Sequence, residues 1–365
     1  MEVLLQVQRK LNRKSAQSLL EKAMALINMA GFQLRFSPLE ADAITEIDTI
    51  IPIESATKKI LDSVPVVEEV NPSIPINEWP MIGIMTQPYD EVNDYIMASY
   101  VKFIQAAGAR VVPIVWRDSD EDILNLVSKL NGAVFPGGAI AFKNEDGTLS
   151  EYGRKAELII NKAKEMTDRG SNYPIMGICL GIQLIVQHEA PFKDTVEMFG
   201  FDNVDEAATV TLKQTSESKL FSKMPQHLIN AVQKEKLTYY HHHDGVVPSA
   251  WNKYSSLRDN YHLLATSHDR KGDECVVFVE SKKYPIWGLQ FHPEKNSFSW
   301  RPTSKVPHSQ TSIEFSQFLA NFFVMEARKN FNRFDSEEEA FDHMIEHVPL
   351  KLNREKKHDV YLFDN

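Results

Sequence analysis

Two short motifs in this chain hold the residue types that acyl transfer needs. The first is Gly177-Ile178-Cys179-Leu180-Gly181, which closes the apolar run Pro174-Ile175-Met176 and opens an amphipathic stretch, so it reads as strand, sharp turn and helix. Glycine on both sides of the turn permits a strained backbone and close packing, with the cysteine standing at the carboxyl end of its strand. A helix N-terminus directly behind the sulfur favours thiolate over thiol. Without a partner, the same turn could also bury an ordinary core cysteine.

Phe291-His292-Pro293-Glu294 supplies the partner. Residues two apart in extended chain share a side, so the Glu294 carboxylate can accept a hydrogen bond from the His292 ring and fix its tautomer. Cys179 as nucleophile, His292 as general base and acid, and Glu294 as orienter make a triad. A tetrahedral intermediate also requires N–H donors for its oxyanion. Gly137-Gly138, after the apolar run Ala133-Val134-Phe135, can bring backbone amides to a substrate carbonyl, and the Leu180 N–H beside the nucleophile can provide a second donor. The run His241-His242-His243-Asp244 invites a metal. However, neighbours on a strand point to opposite faces, so three adjacent histidines cannot converge on one ion without distortion, and no metal site is expected.

These residues need a frame that delivers them to one place. From Met81 onward, continuous apolar runs alternate with helical periodicity: strands at Met81–Thr86, Arg110–Val115, Ala133–Phe135 and the run into Cys179, and helices at Tyr95–Ala107, from Asp118-Ser119-Asp120 to Leu130, and from Ser150 to about Thr167. Such alternation predicts an α/β fold with a mostly parallel sheet covered by helices on both faces and a site at the strands' carboxyl ends. After about residue 205 the rhythm changes to strands with short links, at Ala207–Leu212, Tyr261–Thr266, Cys275–Glu280 and Trp287–Phe291. A long helix then starts near Pro307, with Phe315, Phe318, Leu319 and Phe322 on one face, and a charged tail closes with Tyr361-Leu362-Phe363-Asp364.

Residues 1–79 differ in character. The first thirty or so are mildly basic with amphipathic helical spacing, whereas 38–80 carry Asp42, Glu46, Asp48, Glu54, Asp62, Glu68 and Glu69, are interrupted by Pro52, Pro65, Pro72, Pro75 and Pro80, and read as an extended acidic strap. A mitochondrial presequence and a docking element for a protein partner are both open readings of this extension.

Over its 365 residues the chain has a formal net charge of −10, which argues against a general nucleic-acid binder. Only two cysteines occur, Cys179 and Cys275, so no disulfide framework is expected, and Cys275 in Glu274-Cys275-Val276-Val277 reads as a strand core residue. No apolar run is long enough to span a bilayer. No secretory signal or Asn-X-Ser/Thr site with X other than proline is found, so the expected location is intracellular, cytoplasmic unless the extension directs it elsewhere or into a large assembly.

The constellation resembles the class I glutamine amidotransferase fold, which is flavodoxin-like, and more narrowly the gamma-glutamyl hydrolase family. The relevant pieces are PMIGIMTQPYD at Pro80 to Asp90, YIMASYVKFIQAAGARVVPI at Tyr95 to Ile114, FPGG at Phe135 to Gly138, PIMGICLG at Pro174 to Gly181 and YPIWGLQFHPEKNSFSW at Tyr284 to Trp300. The likeness continues through FFVMEARKN at Phe322 to Asn330 and covers about residues 80–365. It implies hydrolysis of γ-glutamyl amide bonds, as in folate polyglutamates, through a thioester on Cys179, with His292 and Glu294 completing the triad, Gly138 and Leu180 amides as oxyanion hole, and no metal or organic cofactor. It also makes Gly137, Gln183 and His242 or His243 substrate-binding candidates. Gln183 stands where hydrolases of this branch often carry glutamate, and glutamine there fits the wider amidotransferase pattern. Two other roles remain open: a glutaminase feeding ammonia to a partner synthase, and a scaffold subunit that keeps the fold and docks through residues 1–79.

Overall fold

The computed structural model describes residues 75–144, 146–191, 195–353 and 358–364. The expected N-terminal helix and most of the acidic strap lie outside the described residues. In chain order the main elements are β1 (Met81–Met85), β2 (Asn93–Met97), α1 (Ala98–Gln105), β3 (Arg110–Ile114), α2 (Asp120–Lys129), β4 (Gly132–Phe135), α3 (Glu151–Asp168), β5 (Ile175–Ile178) and α4 (Leu180–Glu189). They continue with β6 (Asn203–Ala208), β7 (Thr238–His242), β8 (Tyr261–His268), β9 (Glu274–Ser281), β10 (Ile286–Leu289), α5 (Pro293–Phe298), α6 (Gln310–Ala327), β11 (Leu350–Asn353) and β12 (His358–Asp364).

The central sheet runs β3-β1-β4-β5-β10-β9, then on to two short strands at Gly245–Val246 and Val196–Glu197, with β8 also paired to β9. From β3 to β10 every pairing is parallel, and the sheet turns antiparallel at β9. Alternation along each strand sends residues to opposite faces. Ile82, Ile84, Val111, Met176 and Ile178 therefore join the core under α1 and α6, while Met81, Met85, Val112, Ile114 and Ile175 join the core under α2, α3 and α4. Buried on both faces, these strands must be apolar throughout, which is why β1 reads MIGIM. The expected α/β sheet with helices on both faces is what forms, and its later strands extend it antiparallel.

Caps end the helices where local chemistry provides them. Ser119, Ser150 and Ser309 accept from the N–H of Asp122, Gly153 and Ser312, placing the starts of α2, α3 and α6. The long C-terminal helix thus begins at Gln310, three residues after Pro307. Two expectations need correction. The helix expected from Tyr95 starts only at Ala98, because residues 93–97 form β2 and pair with β12 at the far end of the chain. The strand expected at Ala207–Leu212 is split between β6 and a short strand at Thr211–Leu212. The charged tail becomes a hairpin of β11 and β12, part of a second, four-stranded sheet with β2 and Gln87–Pro88. Among the described residues, no helix is long and apolar enough to cross a membrane.

Candidate active site

Three adjacent parallel strands, β4, β5 and β10, end at one edge of the sheet and carry the motifs with them. The Cys179 N–H donates to the Leu289 carbonyl at 2.6 Å, tying the turn after β5 to the end of β10. Cys179 takes φ 55° and ψ −104° and caps α4. A non-glycine residue held there stores about 1–3 kcal/mol of strain. The flanking glycines do not carry that strain; they permit approach. A Cβ on Gly181 would lie 2.3 Å from the Phe135 carbonyl oxygen, and one on Gly177 would lie 2.4 Å from the Gly181 oxygen.

His292 follows β10 and is anchored by its N–H to the Tyr239 carbonyl at 2.8 Å. Its Nδ1 lies 2.9 Å from Glu294 Oε1, and the carboxylate is completely buried. Lys295 Nζ stands 3.7 Å from the same oxygen. Burial works against the charged form of the His292 ring, but the Glu294 carboxylate and the Cys179 sulfur beside it prevail and raise it to about 9. Burial likewise opposes the charge on Glu294, and the His292 ring outweighs it, so that carboxyl is lowered.

Gly137 marks where these groups converge. A Cβ built there would lie 2.7 Å from His292 Cε1, 2.7 Å from the Tyr100 hydroxyl and 2.9 Å from Cys179 Cβ. The Gly137 N–H donates to the Tyr100 hydroxyl oxygen at 2.8 Å, and that oxygen lies 3.3 Å from His292 Nδ1. Gly138 is pressed against Gln87, whose Nε2 donates to the Pro136 carbonyl at 3.2 Å. Gln290 Nε2 approaches Cys179 Sγ at 3.8 Å. Sequence reasoning missed Tyr100, Gln87 and Gln290. Tyr100 is hidden in an apolar helical stretch, and the two glutamines follow strand ends without any motif of their own.

A cleft of about 540 Å³ opens over Cys179, Gly137, Gly138 and His292. Lys295, Arg301, His241 and His358 also line it, and among the described residues no Asp or Glu side chain does. From the histidine run it is His241 that lines this wall. His242 is buried with Nδ1 against the Asp244 carbonyl, and burial, aided by His292, lowers it to about 3. His243 turns its Nδ1 to the Phe201 carbonyl at 3.1 Å. Gln183 is buried and donates to the Asp244 carbonyl at 3.0 Å, tying α4 to that loop. None of Gln183, His242 and His243 lines the cleft. Leu180 opens α4, where a first-turn N–H has no helical acceptor. Among the described residues no three His, Cys, Asp or Glu side chains form a metal site. Cys275 is free and buried in β9, and burial raises its thiol far above the ordinary range.

A thiol on a strained strand-to-helix turn, facing an imidazole held by a buried carboxylate, is equipped for nucleophilic acyl transfer. The family described as Glutamine amidotransferase class-I matches residues 92–303. Gamma-glutamyl hydrolase B of Dictyostelium discoideum is 34% identical over 300 residues, covering 79% of this chain and 84% of that protein. Gamma-glutamyl hydrolase 1 of Arabidopsis thaliana is 33% identical over 276 residues, 73% of this chain and 77% of its own length. The gamma-glutamyl hydrolase of Homo sapiens is 32% identical over 270 residues, 71% and 81% respectively. On the strength of this fold, the family match and these relatives, the chain belongs to the gamma-glutamyl hydrolase family of class I glutamine amidotransferase-like cysteine hydrolases.

Proposed function

We propose that this protein hydrolyses γ-glutamyl amide bonds, in folate polyglutamate-like chains or γ-glutamyl peptides, with Cys179, His292 and Glu294 as its triad. The observation that carries this reading is the convergence of Cys179, His292 and the Tyr100 hydroxyl on the Gly137 position, at the floor of a cleft lined by cations. In a chain with more acidic than basic residues, a lining of Lys295, Arg301 and histidines suits a substrate rich in carboxylates.

The Cys179 sulfur attacks the γ-carbonyl carbon, and the carbonyl oxygen becomes an oxyanion between the Gly138 and Leu180 amides. Because the Gly137 N–H is engaged by Tyr100, the Gly138 N–H is the one of the pair left to face the substrate. Collapse breaks the C–N bond as His292 delivers its proton to the departing nitrogen, leaving a thioester. Water then attacks the acyl carbon, His292 takes its proton, and the C–S bond breaks to release the acid. Glu294 holds the ring tautomer throughout.

The scaffold reading would be favoured by an obstructed cleft, and among the described residues the cleft above Cys179 is open. The test is release of glutamate from a γ-linked glutamyl peptide by the parent protein and by Cys179→Ala. Turnover that depends on Cys179 and exceeds that on free glutamine is expected; equal or absent release in both proteins would sink the proposal, and a preference for glutamine would mark a glutaminase.

A further inference from the structure

The C-terminal strand brings to the cleft a residue that the triad does not use. β12 pairs with β2 from Val360 opposite Met97 to Asp364 opposite Asn93, and this places His358 at the cleft wall. There the Arg301 guanidinium donates to the His358 ring. A guanidinium can only donate and stays charged, so Arg301 brings a positive charge to this part of the wall.

A second cavity of about 260 Å³ adjoins this pair, and Met97, Ser299 and His358 are walls common to it and the cleft. Phe298 and Trp300 line it further on; Trp300 is 68% exposed and stacks on His308 with ring centres 3.9 Å apart. Lys102 and Asp359 in its wall lie 3.7 Å apart and offset each other. The local positive charge therefore sits at the border between the two spaces.

Chemistry gives this arrangement a direction. The proton for the departing nitrogen comes from His292, so the leaving group lies on the imidazole side of the cut. α5 starts directly after His292 and runs six residues, about 9 Å at the helical rise per residue, to Phe298. Beyond its end lie Ser299, Trp300 and Arg301. We propose that Arg301 and His358 hold the carboxylate of a glutamyl leaving group, and that the second cavity takes the next unit of the departing chain. This rests on the γ-glutamyl hydrolase reading above. The planar fork of arginine can meet a carboxylate with two parallel hydrogen bonds, which a neutral amine substituent cannot reciprocate.

The full-length protein is tested on γ-glutamyl-glutamate, on γ-glutamyl-γ-glutamyl-glutamate and on γ-glutamyl-butylamide, whose leaving group is neutral. The parent should show kcat/KM about tenfold or more higher on the two carboxylated substrates than on the butylamide, the size of one charge-assisted contact. Arg301→Gln and His358→Gln should collapse that ratio toward one, through KM rather than kcat, and Arg301→Lys should recover part of it. A merely structural role would lower all three substrates alike, and that result would overturn the clamp, as would a parent enzyme indifferent to leaving-group charge. The absence of Cys179-dependent release from any of the three would instead overturn the hydrolase reading, and the clamp with it.

Discussion

At the floor of the cleft, Cys179, Gly137 and His292 follow the ends of three neighbouring strands held in parallel register, with β5 bonded to β4 on one side and to β10 on the other. At the rim, Arg301 comes from coil after α5, and His358 comes from a strand of a different sheet, in the last eight residues of the chain. The floor has almost no freedom: Glu294 is fully buried, Cys179 is 5% exposed, and a single methyl group at Gly137 would strike three side chains. The rim is partly exposed and polar. A bond-making apparatus set by sheet register, beside a binding surface set by long-range pairing, lets the two change independently. Floor substitutions should therefore damage turnover, and rim substitutions should shift which substrate is preferred.

The severest test of that division is Gly137→Ala. The added Cβ must displace His292, the Tyr100 hydroxyl or Cys179, none of which has room to yield. Misplacing reacting groups by about an ångström costs on the order of a hundredfold in rate. A fall of that size or more in kcat on a γ-glutamyl peptide, with KM changed far less, is expected. A mild effect would mean that the floor is as adaptable as the rim.

Glu294→Gln sharpens the same contrast through pH. In the parent, His292 is held at about 9 against the opposing effect of burial, so the ring stays charged from neutral pH up to that region. Removing the carboxylate leaves burial less opposed and lowers the ring. The alkaline limb of kcat/KM, near 9 in the parent, should move to lower pH as kcat drops by roughly 10²–10⁴. Stability follows the same sign. A ring raised from its ordinary 6.5 contributes stability that is complete below about 6.5 and lost as pH climbs through about 9, so the two proteins should differ less in thermal unfolding above that pH. Unmoved limbs would show that Glu294 does not govern the ring.

How much of this could be read beforehand follows the same line between floor and rim. Cys179, His292 and Glu294 announce themselves because each lies in a short motif whose spacing has a local physical meaning. The strain was foreseen at the turn, but it rests on Cys179, and the glycines serve close packing instead. Residues 95–97 look helical by local period, and only pairing with residues 360–362 makes them part of a strand. His358 was invisible for the same reason: nothing near it in sequence signals the pairing of its strand with one more than 250 residues earlier, which brings it to the cleft. In the histidine run, strand alternation correctly separates neighbours: Tyr239 and His241 line the cleft, Tyr240 and His242 turn away from it, and His243 lies past the end of β7.

The smallest expected effect tests that last point. His243 turns its ring to the Phe201 carbonyl and does not line the cleft, so His243→Gln should lose at most a hydrogen bond of about 1 kcal/mol. That loss should appear as a slightly lower unfolding midpoint, with kcat/KM on γ-glutamyl-glutamate within about twofold of the parent, below the threshold of a lost charge-assisted contact. A KM raised tenfold would instead restore His243 to the substrate's carboxylate, and the binding surface would then extend past His241 into a part of the molecule that now reads as packing.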